Sequence, residues 1–355
     1  LNPRLFPEQL VYIINHAEDR IIFTDLTFLP ILQGIIDQCP TVEHIVVLTD
    51  DSELKNVTLR VKGKPCLAME SLIDQHHAEV VWGGFDENTA AGLCYTSGTT
   101  GNPKGVLYSH RALVLHTYGC LMRDVMGISQ SDTVLPVVPM FHVNAWGLPY
   151  SAAMTGAKLV FPGPAMDGKS IFELIESEKV SFAAGVPTVW QMLLGHMAPA
   201  GLKFSTLGRT VIGGSACPPA MIDAFRQNYN VDVLHAWGMT ELSPVSHCTV
   251  VGDFRPGTSG ITVPNTECRL VSPETGEDQG VGGEGELWVR GPQVMSGYLN
   301  NDEATRHTID EDGWLHTGDV AVICEWFYDC DIARQSRRQA AYDQLCRSYQ
   351  QACRD

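Results

Sequence analysis

Apolar positions fall into two alternating rhythms along the first half of the chain. Residues 7–17, PEQLVYIINHA, open on a proline and place Leu10, Ile13, Ile14 and Ala17 at helical spacing. The short apolar run RIIFTD (20–25) predicts a strand, LPILQGIIDQC (29–39) a helix and HIVVLTD (44–50) a second strand. Strand, helix and strand in that order form the unit from which parallel sheets are built. The same rhythm returns at 209–236, where RTVIGG, PPAMIDAFRQNY and VDVLHAW predict strand, helix and strand. Beyond 255, glycine and proline break the chain into short apolar pieces, which predicts a β-rich subdomain, a small barrel being one form. The fold class expected is α/β, with parallel-sheet subdomains and one small β-rich subdomain.

At 355 residues, 44% of them hydrophobic and 18% charged, the chain has enough apolar material for a sizeable core. A formal net charge of −17 argues against a nucleic-acid or anionic-membrane surface. It does not exclude a nucleotide, because a small ligand responds to its pocket. The eleven cysteines are dispersed without C-x₂-C spacing, which points to free thiols in a reducing cytoplasm rather than a zinc ribbon. No apolar run is long enough to span a bilayer, and no secretory start is present. The first residue is Leu1 rather than Met, so an upstream piece is expected.

The candidate chemistry begins at 95–106, YTSGTTGNPKGV, directly after the strand-like AAGLCY (90–95). Thr96, Ser97, Thr99 and Thr100 offer hydroxyls, while Gly98, Gly101 and Gly105 let the backbone approach an anion. Lys104 adds a positive charge. The lysine precedes its glycine, so this is not a Walker A loop, and no G-x-G-x-x-G is present in it. Read alone, the cluster also suits a polar surface turn.

The stretch closely resembles the phosphate-binding loop of adenylate-forming enzymes, the superfamily of acyl-CoA synthetases, aryl-CoA ligases, luciferases and peptide-synthetase adenylation domains. The resemblance runs nearly continuously over residues 1–323, the adenylation core, and implies the large N-terminal domain of such an enzyme. It implies that the loop holds the β- and γ-phosphates of ATP and that Thr96 helps to hold Mg²⁺. HAWGMTELSP (235–244) resembles the adenine-binding segment: His235 and Ala236 line it, Trp237 stacks on the base, Thr240 contacts phosphate and Glu241 is the Mg²⁺ carboxylate. GGSACPP (213–219) resembles the turn beneath the adenine and beside the acyl carboxylate, with Gly214 nearest. GWLHTGD (313–319) resembles the ribose segment, where Asp319 accepts from both ribose hydroxyls. Taken singly, a Trp before Gly reads as core packing, a GG turn as an ordinary connection and an Asp as solvated.

VPMFHVNAWGLPY (138–150) bears on the acid. His142 alone reads as a core histidine, but in fatty acyl-CoA synthetases the matching histidine borders the acyl site. Val143 and Trp146 would line that site, Trp146 as a gate, which favours an aliphatic acid. The segment also looks like that of synthetases for short sulfur-containing propionates. RPGTSGITVPNTECRLV and GPQVMSGYLNN lean toward 4-coumarate-type ligases. The implied reaction joins a carboxylate to AMP, releasing pyrophosphate, and then transfers the acyl group to CoA. Thr96, Lys104, His142 and Glu241 are the expected catalytic set, ATP and CoA the co-substrates, and a homodimer is left open.

After Asp319 the family pattern stops. Residues 325–355 carry five arginines and no lysine, and no hinge arginine or lysine-bearing C-terminal domain follows. Residues 324–355 are read as an atypical tail, either docked through Ala341, Leu345 and Tyr349 or solvated. The expectation is a core that keeps most nucleotide contacts but adenylates weakly and forms thioester hardly at all. The competing expectation is a non-catalytic nucleotide- or acyl-binding remnant. A P-loop kinase or ATPase is a distant third.

Overall fold

A computed structural model describes residues 1–76, 79–96, 102–250 and 258–323. The chain divides into two units, Leu1–Thr89 with Tyr95–Val106, and Ala90–Cys94 with 107 onward. The expected tail helix lies outside the described residues.

In the first unit, strands Ile21–Thr24, His44–Val47 and Leu67–Ala68 pair in parallel, with His44–Val47 in the middle. Helices Pro7–His16 and Leu29–Ile35 supply Leu10, Ile14 and Leu32 to a core shared with Ile22, Ile45 and Val47. The second helix is shorter than its apolar pattern predicts. Its last turn tightens to 3₁₀ at Ile36–Gln38, because a residue preceding a proline, here Cys39 before Pro40, disfavours helical backbone.

The second unit is built on a seven-stranded sheet. Its order is Ile261–Thr262, Val245–Cys248, Asp232–Gly238, Arg209–Gly213, Phe182–Gly185, Thr133–Pro136 and Lys158–Leu159. The last five are parallel, and the first two join antiparallel. Because successive side chains point to opposite faces, consecutive apolar residues serve two cores. Val211 and Leu234 face Val134, Phe182 and Trp146, whereas Ile212 and Val233 face Trp190, Ile175 and Phe225. The predicted helix after Arg209–Gly213 forms as Pro219–Asp223 and continues as a π-turn over Ala224–Asn228.

The β-rich region is an open sheet rather than a barrel among the described residues. Glu267–Val271, Glu284–Arg290 and Leu315–Val322 form three antiparallel strands over Leu270, Leu287, Val289 and Leu315. Ile261–Thr262 instead extends the large sheet, where it pairs with His247 and Cys248. AAGLCY forms the expected strand, Ala90–Tyr95.

Candidate active site

Ligand sites in open α/β sheets gather at the carboxyl ends of the strands. Four neighbouring strands of the second unit present that end to one edge, leading into 137–146, Val186, 213–214 and 237–241. Register places Gly213 beside Ala236. A methyl group on Gly213 would lie 2.8 Å from the Ala236 carbonyl oxygen and 3.3 Å from the Trp146 indole, so this turn has no room for a side chain. Gly214 has φ +76°, and a side chain there would meet Val186 and Trp146. The GG turn, Ala236 and Trp146 are thus brought together.

Trp237 continues from Ala236. Its indole N–H donates to Asp319 Oδ2 at 3.1 Å, and the His247 ring lies edge-on to it at 5.4 Å. The adenine and ribose candidates, 82 residues apart, therefore form one unit. Asp319 is buried, and its N–H donates to the Thr317 hydroxyl, which in turn donates to the Leu287 carbonyl. The Glu286 carboxylate accepts from Gly318 N–H and Trp288 indole N–H, fixing the turn before Asp319. His235 shares its Nδ1 with the Thr258 carbonyl at 2.8 Å, and its N–H donates to the Thr249 hydroxyl. Burial pushes its imidazole below the usual range, although its bonds to backbone at Thr258 and Ser215 oppose that shift.

Gly238 explains why a glycine follows the tryptophan. A methyl group there would stand 2.0 Å from the Pro244 carbonyl oxygen. The chain turns tightly, and Thr240 and Glu241 lie in the 3₁₀ turn Thr240–Leu242. The Tyr108 phenol donates to the Thr240 carbonyl at 2.7 Å. Glu241 is 7% exposed, and its Oε1 accepts from the Tyr298 phenol at 2.7 Å. Burial, then the charge of Glu241 and the bond to it, push the Tyr298 phenol far above its ordinary value, so it remains the donor. Glu241 Oε2 takes no hydrogen bond among the described residues.

That carboxylate suits a hard divalent cation. One of its oxygens is held by the Tyr298 phenol and the other is left to take a further partner. No cluster of three or more His, Cys, Asp or Glu side chains able to hold a metal occurs among the described residues. A site with few protein oxygens matches Mg²⁺, which keeps waters and takes phosphate oxygens rather than a full protein cage.

The segment after Thr133–Pro136 carries unusual backbone. Val143, Asn144, Ala145 and Trp146 all have φ between +47° and +57°, and Gly147 follows at +73°. Each L-residue in this left-handed conformation costs roughly 1–2 kcal/mol. Val143, Ala145 and Trp146 are buried, and their packing holds the turn. Strained backbone of this kind concentrates at functional sites. His142 precedes the turn and is exposed, its N–H bonded to the Pro139 carbonyl.

Thr96 and Lys104 belong to the first unit. Thr96 N–H donates to the Lys104 carbonyl at 2.9 Å, and Lys104 N–H donates back to the Thr96 hydroxyl at 3.3 Å. These reciprocal bonds close the neck of the candidate phosphate loop. The Tyr95 phenol, one residue earlier, pairs with His16 Nδ1 at 2.8 Å. Ser97, Gly98, Thr99, Thr100 and Gly101 lie outside the described residues.

Sequence reasoning did not single out Tyr108, Tyr298, His116 or His247. His116 is buried, its Nε2 accepts from Val245 N–H at 3.0 Å, and burial pushes its pKa down to about 4. It thereby fixes the chain just beyond Glu241. Only the aromatic residue within GPQVMSGYLNN offered any signal for Tyr298.

The fold is a mixed α/β fold with a parallel sheet, and the candidate site lies at the carboxyl ends of its strands. A profile of AMP-binding enzymes matches residues 1–299, and the chain belongs to that family. It is 46% identical over 336 residues to the 3-methylmercaptopropionyl-CoA ligase of Ruegeria lacuscaerulensis, covering 91% of this chain and 61% of that protein. It is 47% identical over 340 residues to the medium-chain-fatty-acid–CoA ligase of Ectopseudomonas oleovorans, covering 91% and 60%. The crystal structure of an anthranilate CoA ligase with anthranoyl-AMP superposes with a TM-score of 0.80 at 26% identity, covering 92% of this chain and 61% of that one. The chain thus spans about three fifths of the length of the curated relatives it matches. No helix among the described residues is long and apolar enough to cross a membrane.

Proposed function

We propose that this chain is the adenylating core of an AMP-forming acyl-CoA ligase. The observation that carries the reading is the Trp237–Asp319 unit beside Glu241 at the strand edge. It offers an aromatic face for a base, a carboxylate for ribose hydroxyls and a half-committed carboxylate for the cation that accompanies nucleotide phosphates. His235, Ala236 and Gly214 would line the nucleotide, and Thr240 would contact phosphate. Ser97, Gly98, Thr99, Thr100, Gly101 and Lys104 would hold the outer phosphates. Thr96 and Glu241 would hold Mg²⁺, which when bound neutralises charge on the leaving pyrophosphate.

In this reading, the chain's own residues position rather than react. A carboxylate oxygen attacks the α-phosphorus and the bond to pyrophosphate breaks, so catalysis rests on alignment and on stabilising the charge that leaves. The glycine turn at 213–214 would bring backbone alone beside the reacting carboxylate, since Gly213 has no room for a side chain against the Ala236 carbonyl and Gly214 takes a positive φ. His142, Val143 and Trp146 would border the acyl chain. CoA would take the acyl group from the adenylate in the second half-reaction.

An aliphatic acid is the favoured substrate, either a medium-chain fatty acid or a short thioether acid. The support is the apolar, strained 143–147 turn and the likeness to ligases named for those acids. The seven free cysteines among the described residues suit a reducing cytoplasm. The test is ATP–pyrophosphate exchange over a panel of fatty acids, thioether propionates and hydroxycinnamates. Exchange that depends on an aliphatic acid is expected. Nucleotide binding without exchange for any acid would instead favour a non-catalytic binding module.

A further inference from the structure

We infer that Tyr298 is a positioning residue for the cation site: its phenol holds Glu241 Oε1 so that Oε2 is presented to a nucleotide-bound divalent cation. The inference rests on the reading of Glu241 as a cation ligand. Three observations lead to it.

First, the strand around Tyr298 grips Glu241 at two points. Met295 N–H donates to the Glu241 carbonyl at 2.8 Å, and the phenol reaches the carboxylate at 2.7 Å. Both backbone and side chain of Glu241 are therefore set by residues 295–298. A carboxylate with one oxygen pinned cannot rotate freely, so the second oxygen keeps one direction.

Second, Tyr298 is itself held at both ends by one helix face. Its N–H donates to the Thr305 hydroxyl at 2.9 Å, and Thr308 on the same helix interacts with its phenol. Thr305 and Thr308 are three residues apart on helix Asp302–Thr308, the spacing that puts two side chains on one face. Thr305, Tyr298 and Glu241 are thus linked in sequence toward the candidate ligand oxygen. Gly297, at φ +143°, lets the strand pass the Thr305 side chain, which would sit 3.0 Å from a methyl group there.

Third, the tyrosine is buried at 7% exposure, so the phenol is committed to these partners rather than to bulk water. Supporting partners of this kind orient metal ligands and tune their strength.

The test uses the full chain, with α,β-methylene-ATP as the nucleotide. Its affinity is measured by calorimetry with Mg²⁺ and with EDTA, and bound Mn²⁺ is counted by electron paramagnetic resonance in the ternary complex. Tyr298→Phe keeps the ring and removes the donor. We expect it to weaken cation-dependent binding by about 10-fold or more, with affinity in EDTA and melting temperature little changed. Thr308→Val should shift binding in the same direction by less, and it carries the test if Tyr298→Phe fails to fold. Equal losses with Mg²⁺ and with EDTA would show a merely structural tyrosine and overturn the inference. Glu241→Gln separates the two readings. If it abolishes the cation effect while Tyr298→Phe and Thr308→Val do not change it, Glu241 stands as ligand and the role of Tyr298 falls. If Glu241→Gln leaves the cation effect intact, or the unsubstituted chain shows none, the Glu241 reading itself falls.

Discussion

Lowering the pH from 7 to 5 should cost this protein stability through its buried histidines. Burial holds His116 at about 4 and His247 at about 3, against 6.5 for an exposed imidazole. The folded values lie below the unfolded one, so between pH 6.5 and about 4 the unfolded chain binds more protons. The stabilisation is complete at neutral pH and is lost as pH falls through that window. Integrated from pH 7 to 5, each histidine contributes about 2 kcal/mol, or about 4 kcal/mol together. His235, also pushed down by burial, adds in the same direction. Asp132, held below 3.8 by Ser129, Ser181 and Arg209 despite its burial, acts only at lower pH, whereas Asp19, raised by burial, acts in the opposite sense to the histidines. A loss of about 4 kcal/mol is a large share of the 5–15 kcal/mol typical of a folded domain. The assay is urea unfolding at pH 7, 6 and 5. In His116→Gln, an amide oxygen can still accept from Val245 N–H without titrating, so the loss should shrink by about 2 kcal/mol. A flat profile in the unsubstituted chain, or the same slope in His116→Gln, would refute the reasoning.

Three other substitutions test other parts of the structure. Trp237→Phe keeps an aromatic face but removes the N–H bonded to Asp319; losing a hydrogen bond to a charged group costs about 1.5–3 kcal/mol, so ATP affinity measured by calorimetry should fall at least 10-fold. Gly238→Ala drives a methyl group into the Pro244 carbonyl, and both nucleotide binding and thermal stability should drop sharply, whereas unchanged binding would remove the tight turn from the account. Asp132→Ala leaves Arg209, which also donates to the Met126 and Gly127 carbonyls, without its carboxylate partner; the ion pair is largely buried, and chemical denaturation should show a loss of about 3–5 kcal/mol.

Much of the scaffold was legible because local pattern and tertiary role coincide. Arg209–Gly213 and Asp232–Gly238 are short apolar runs, and burial on both faces of a sheet is what such runs serve. Motif spacing picked out Trp237, Glu241 and Asp319, and the structure joins two of them directly. Their supports were not legible. Tyr298 reaches Glu241 across 57 residues, and no local periodicity records that pairing. The left-handed turn at 143–146 was hidden for another reason: valine, alanine and tryptophan ordinarily avoid positive φ, so only packing reveals it. The β-rich region was half legible, since glycine and proline mark where strands stop but not which strands pair. Hence Ile261–Thr262 joined the large sheet, and the barrel became three antiparallel strands.

The central claim is that a carboxylate is adenylated at this strand edge. Incubating the chain with ATP, Mg²⁺ and octanoate, without CoA, and assaying by mass spectrometry for octanoyl-AMP tests it most directly. The account predicts the adenylate with the unsubstituted chain, and its loss in Asp319→Ala and Glu241→Gln. No adenylate from octanoate or any acid of the panel, or equal yields from both variants, would contradict it.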